Sequence, residues 1–261
     1  MGLADTAPRR RRRRGGIIAL VVVVVLVVVA LVAGEAAARA YATGRIHDEL
    51  ATAFGLGADH PMDIDLGPGL LLAQAATGAV DSVDVAIDDV PLGDLTGSVE
   101  LEATSIPLDA HRPVGTFQAK ATIDEQNVAK LGDYLSGVDL DSITLGDGTI
   151  DVAATVKALF LSVPVSAAIE PSAKDGQLVF TPRSVTVNGQ VVDVADLTSG
   201  PLGVLASRFL GSQSFCVAQY LPAEIGLEGA LVRRGDLVLL FGSRDVVLGG
   251  SGLTTKGTCP E

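Results

Sequence analysis

A chain of 261 residues, 48% of them apolar, can bury a sizeable core even after an N-terminal segment is set aside. Thirty glycines, few aromatics and no tryptophan favour a core of Val, Leu, Ile and Ala in many short segments, which is a β-leaning composition. A net charge of −12 repels polyanions and excludes DNA and RNA as natural partners.

Arg9 to Arg14 are six consecutive arginines, followed by Gly15, Gly16 and an uninterrupted apolar run from Ile17 to Ala33. As a helix this run spans about 26 Å, at the short end of what crosses a hydrocarbon core of about 30 Å. Arginines beside a span stay in the cytoplasm. Residues 1–16 are therefore expected to be a cytoplasmic tail, 17–34 a single transmembrane helix, and 35–261 an extracytoplasmic domain at the cell membrane. A cleaved signal peptide with a small-residue site at Ala36-Ala37-Ala38 is the rival, but the run exceeds the usual apolar region of about 7 to 15 residues. Outside the tail, 13 basic residues face 30 acidic ones, so the outer part carries −17.

Glu35 to Leu56 reads as a helix with Ile46, Leu50, Ala53 and Phe54 on one side, ended by Gly55, Gly57 and Pro61. Period-two alternation follows: Val83, Val85 and Ile87 against Asp84 and Asp88, then Val99, Leu101 and Ala103 against Glu100, Glu102 and Thr104. It resumes at Ile150, Val152, Ala154 and Val156, and again at Val163, Val165, Ala167 and Ile169. Asp175-Gly176 and Asn188-Gly189 are dipeptides that favour type I′ hairpin turns, so an antiparallel meander is expected. A helix is predicted over residues 124–135 behind a Thr122-x-x-Glu125 capping box. Another is predicted from Pro201 to Gly211, with Leu202, Leu205, Phe209 and Leu210 on one side. Cys216 and Cys259, even in number and on the oxidising side, predict a disulfide.

Catalytic chemistry is not legible. His47, His60 and His111 have no metal-ligand spacing, and neither a nucleophile elbow nor a phosphate loop occurs. Asp63-x-Asp65-x-Gly67 and Asp139-x-Asp141-x-Ile143 fail as calcium loops, and Asp88-Asp89, as strand neighbours, should face opposite sides. No cofactor, no metal and no enzyme activity are expected.

Several segments together resemble the LmeA-like family of actinobacterial cell-envelope phospholipid-binding proteins. They are Tyr41 to Leu56 (YATGRIHDELATAFGL), Asp81 to Asp94 (DSVDVAIDDVPLGD), Asp147 to Val156 (DGTIDVAATV), Val163 to Arg183 (VPVSAAIEPSAKDGQLVFTPR) and the stretch from Cys216 (CVAQYLPAEIGLEGALVRRGDLVLLFG). Where the family tends to show a Gly-x-Pro-Phe-Leu-like segment, this chain has Gly67-Pro68-Gly69-Leu70-Leu71-Leu72. The resemblance implies an α+β fold similar to tubular lipid-binding domains, a curved antiparallel sheet wrapped around apolar helices. It also implies phospholipid as the partner, in lipid or lipoglycan maintenance of the envelope.

Acyl chains are then expected in an apolar groove lined by residues such as Leu70, Leu71, Leu72, Leu202, Leu205 and Phe209. Anionic head groups would be opposed by the −17 unless Arg112, Lys120, Arg183, Arg233 or Arg234 cluster at its mouth. A structural or partner-tethering envelope module whose core consumes all its apolar residues is the alternative. An envelope hydrolase is a third reading, and it would need an acid and a base converging in a pocket.

Overall fold

A computed structural model of the chain describes residues 12–93, 95–130, 140–158, 161–193, 213–244, 246–247, 250–253 and 255–259. Its first element, α1 (Arg12–Phe54), is one unbroken helix of 43 residues. The apolar run and the amphipathic segment after it are therefore a single rod. Helix-favouring residues continue through Glu35-Ala-Ala-Ala-Arg39, and the i,i+4 pairs Glu35–Arg39 (2.8 Å) and Arg45–Glu49 (3.0 Å) support the outer turns. It stops where Gly55 takes φ 67°, with the Leu56 N–H donating to Ala51 O at 2.7 Å and that of Gly55 to Thr52 O. Ala53, expected on the apolar side, is exposed; Ala51 is buried in its place.

The strands form two antiparallel sheets. Sheet one has the order β1 (Met62–Asp65), β2 (Ala79–Leu92), β3 (Leu95–Pro107), β4 (Thr116–Asp124), β12 (Asp236–Arg244), β11 (Gly226–Arg233). Sheet two has the order β10 (Gln213–Cys216), β8 (Gln177–Val187), β7 (Leu161–Lys174), β6 (Ile150–Ala158), β5 (Leu140–Leu145), with β9 (Gln190–Asp193) also on β8. Two short helices complete the set, α2 (Leu71–Thr77) and α3 (Glu125–Ala129). The expected single meander is thus divided: the chain leaves sheet one after β4, builds sheet two, and returns as the β11–β12 hairpin beside β4.

Two connected apolar clusters hold these layers. On the inner face of sheet one, Val85, Ile87, Val90, Val99 and Ala121 pack under Ile46, Leu50 and Phe54 of α1. Where the sheets meet, Ile123, Val128, Val232 and Leu237 pack against Ile143, Ile150, Val152 and Phe180. Leu92 and Leu239 border both. The sheets therefore join at the Asp124–Asp236 end of sheet one.

The anticipated turns form, with positive φ at Asp175 and Gly176 and at Asn188 and Gly189. A third of the same kind closes β11–β12 at Arg234-Gly235. The expected capping box is not used, because Thr122 is paired inside β4 and Asp124 caps α3, its carboxylate accepting the Asn127 N–H at 2.7 Å. α3 ends at Ala129; residues 131–135 of the expected helix, and all of the helix expected over 201–211, lie outside the described residues.

Cys216 and Cys259 are bonded, with Cα atoms 5.8 Å apart. Their bond ties β10 to the C-terminal segment across a sequence separation of 43. Cys216→Ser is expected to lower the unfolding free energy by about 4 kcal/mol in the loop-entropy estimate, read from the urea midpoint of the full chain. An unchanged midpoint would show that the bond constrains nothing the fold needs.

Candidate functional site

The alternation in the middle of the chain resolves into one apolar and one polar face of sheet two. Register aligns Val192, Val185, Ala167, Val152 and Ile143 across β9, β8, β7, β6 and β5. Beside this row run Pro182, Ile169, Ile150 and Leu145 on one side, and Val187, Val165, Ala154 and Leu140 on the other. The opposite face carries Thr186, Ser166, Ala153 and Ser142.

Burial across the apolar face is uneven. Ile150, Ile143 and Val185 are buried, most positions between them are half-buried, and in the outer row Leu140 packs against the junction cluster while Val165 and Ala154 are half-buried and Val187 is 37% exposed. Aliphatic side chains that keep partial access to solvent along a whole row form a surface suited to an apolar chain lying across the strands.

Sheet one presents the contrary chemistry. Its outer face forms an open depression of about 500 Å³ lined by Asp63, Asp65, Asp84, Glu100, Glu102 and Glu228, with Lys120 paired to Glu100 at 2.7 Å. A second hollow of about 430 Å³ lies at the far end of the strands among Asp88, Asp89, Asp124 and Asp236. Asp88 and Asp89 share that hollow against the expected alternation, because β2 bulges between Ile87 and Val90 and Asp89 takes φ 54°. Gly97 sits opposite the bulge, where a Cβ would stand 2.5 Å from Thr122 O.

Among the described residues, no group of three or more His, Cys, Asp or Glu side chains is arranged to hold a metal. Two histidines serve the frame: Nε2 of His47 donates to His60 O and Nε2 of His60 to Asp88 O, both at 2.8 Å, tying the end of α1 to the β2 bulge. The basic residues do not converge. Lys120 lies on the acidic face, Arg183 pairs with Glu170, Arg233 and Arg234 form the β11–β12 turn, and Arg112 lies at the opposite end of sheet one.

Of the sequence candidates, Leu70, Leu71 and Leu72 open α2 beside α1. Leu71 is buried, while Leu70 and Leu72 are 63% and 43% exposed. Leu202, Leu205 and Phe209 lie outside the described residues.

Sequence reasoning missed what fixes α2. The Glu35 carboxylate accepts the Leu71 N–H at 2.7 Å and the Leu72 N–H at 3.0 Å, while Arg39, one turn on, donates to Glu35 and to the carbonyls of Gly67 and Gly69. An acid and an arginine four apart just past an apolar run were the available signal. Backbone donation from Leu72 and Leu71, aided by Arg39, holds the Glu35 carboxyl below its ordinary value of 4.5 against the opposing effect of desolvation.

A lowered folded-state pKa gives stability that is present above the ordinary value and lost as pH falls below it. Hydrogen-exchange protection of the Leu71 and Leu72 amides should therefore decline as pH falls below 4.5. Glu35→Gln should show weak protection at every pH. Protection that follows the wild type in the variant would remove the carboxylate from this role.

The family model described as LmeA-like phospholipid-binding matches residues 33–241. No curated protein and no solved structure matches the chain.

Proposed function

Because the chain belongs to the LmeA-like phospholipid-binding family, we propose that it holds phospholipid acyl chains against the apolar face of β5–β9 while Ile17–Ala33 anchors it in the cell membrane with residues 35–261 outside. The observation that carries the lipid site is the incomplete burial of that apolar face, with Ile150 in closed core and Val165, Ala154 and Val187 half-open in its outer row. Leu202, Leu205 and Phe209 follow β9 in the chain, and their spacing suits them to the opposite wall of a groove.

Anchoring is supported by α1, whose stretch from Val22 is long and apolar enough to cross a membrane, and by the six arginines before it. Export of the domain suits its disulfide. The family's description by what it binds supports binding, rather than catalysis, as the activity. An envelope role in lipid or lipoglycan maintenance is the reading that an anchored, outward-facing lipid site supports.

Each CH₂ is worth about 0.8 kcal/mol relative to water, but a bilayer lipid already has its chains buried, so exchange into the groove is nearly neutral in that respect. Selectivity must come from shape and head-group contacts. The dispersal of Arg112, Lys120, Arg183 and Arg233–Arg234 gives an anionic head group no shared basic pocket among the described residues.

The test uses full-length protein in vesicles containing a phosphatidylcholine with a photoactivatable acyl chain. Cross-links in peptides of β5–β9, besides those in the span, are expected. Cross-links confined to residues 17–34 would leave an anchored structural module without a lipid site.

A further inference from the structure

The rod and sheet one run in the same direction, and their rises fix how far the sheet reaches toward the span. Arg39 donates to Gly67 O, and Gly67 lies so close to Ser82 that any side chain there would collide with it. Eleven residues on, Leu50 packs in the cluster that holds Ile87. The helix climbs about 16 Å from Arg39 to Leu50, and β2 climbs about 16 Å from Ser82 to Ile87. Ala79, three residues before Ser82, therefore lies on the side of Arg39 that faces the apolar run. Pro107 pairs with Ala79, and the Leu108 N–H donates to Gly78 O at 3.0 Å, which sets the β3–β4 connection at the same height.

α2 is fastened at this level too. Glu35 holds the Leu71 and Leu72 amides, and Cδ1 of Leu72 lies 3.5 Å from where a Cβ on Gly34 would be. At this edge Leu70, Leu72 and Leu108 are 63%, 43% and 57% exposed. Isolated exposed leucines are ordinary, but Leu70 and Leu72 open α2 beside Gly34 at the end of the apolar run, and Leu108 follows the strand end bonded to Gly78 at the close of the same helix. Arg39 is spent on Glu35 and two carbonyls, and the exposed Asp109 and Arg112 that follow Leu108 hold that connection at head-group depth rather than among the acyl chains.

We propose that Leu70, Leu72 and Leu108 are seated in the outer leaflet beside the span, so that sheet one stands on the bilayer in one fixed orientation. The occupant of this apolar rim is the lipid bilayer itself, because the helix passing through that bilayer is the element to which the rim is bolted. The proposal rests on reading Ile17–Ala33 as a membrane span. It also accounts for the shortness of that run: about 26 Å of helix is completed toward about 30 Å by leucines brought in from the side.

The absence of tryptophan makes single-tryptophan variants of the full chain clean depth probes. Val25→Trp, Leu70→Trp, Leu108→Trp and Ala53→Trp would each be reconstituted in phosphatidylcholine vesicles containing brominated phosphatidylcholine. Leu70→Trp and Leu108→Trp should lose about half of their emission, more to bromines placed near the head group than to deep ones, as expected for groups about 5–10 Å into the boundary. Ala53→Trp, about 28 Å further along the rod than Gly34, should lose none. Quenching of Val25→Trp with none at Leu70 and Leu108 would overturn the docking while leaving the span intact. An unquenched Val25→Trp would overturn the span and the docking with it.

Discussion

Val165→Glu is expected to leave the protein folded and to remove most lipid cross-linking from β5–β9. Val165 lies on the half-open row between Val187 and Ala154, so a carboxylate there can still reach water when the groove is empty. With acyl chains in place it could not, and an unpaired polar group in such a setting costs about 2 kcal/mol or more, which is more than tenfold in occupancy. Circular dichroism and the urea midpoint should change little, while photo-cross-links persist at the span and fade from the sheet. Full cross-linking in the folded variant would move the lipid elsewhere; an unfolded variant would make this row closed core.

Ile87→Asp should have the opposite character. Ile87 and Val90 are 1% and 0% exposed in the cluster where α1 packs on sheet one. An unpaired carboxylate at that depth costs about 4 kcal/mol or more, a large share of the 5–15 kcal/mol that ordinarily keeps a domain folded. Loss of the cooperative urea transition is the expected result. Ala86→Ser, one residue away on the exposed face, should leave the midpoint within about 0.5 kcal/mol of the wild type. A cooperative transition retained by Ile87→Asp would show that α1 is not seated on this sheet.

The parts of the fold legible in the sequence were those set by neighbours along the chain. Alternation at Val83–Ile87, Val99–Ala103, Ile150–Val156 and Val163–Ile169 marked strands because one face of each is buried, and two Asx-Gly pairs marked turns that need left-handed backbone. Arg234-Gly235 adopts the same turn, but arginine is not a residue whose chemistry announces it. Thr122 looked like a helix cap only while the strand was taken to stop before it; the ladder with β12 runs on to Asp124.

Partition into two sheets depends on β12 choosing β4 as its neighbour, more than a hundred residues away in sequence, and no local pattern encodes that choice. The candidate site shows the same division. Its apolar row could be read from period-two spacing, whereas the clamp of Glu35 and Arg39 on α2 required knowing that residues 67–72 return to the rod.

An unbroken α1 makes the domain the arm of a lever rather than a weight on a string. Between Glu35 and Phe54 the rod extends about 30 Å with no hinge, and its last turns are embedded in sheet one. With Ile17–Ala33 read as a membrane span, a tilt of that half is carried along the rod: about 10° of lean would displace Phe54 sideways by about 5 Å, a motion that the seated rim of Leu70, Leu72 and Leu108 would resist. On that reading, local thinning or thickening of the bilayer would reach the half-open row only as far as the seated rim gives way.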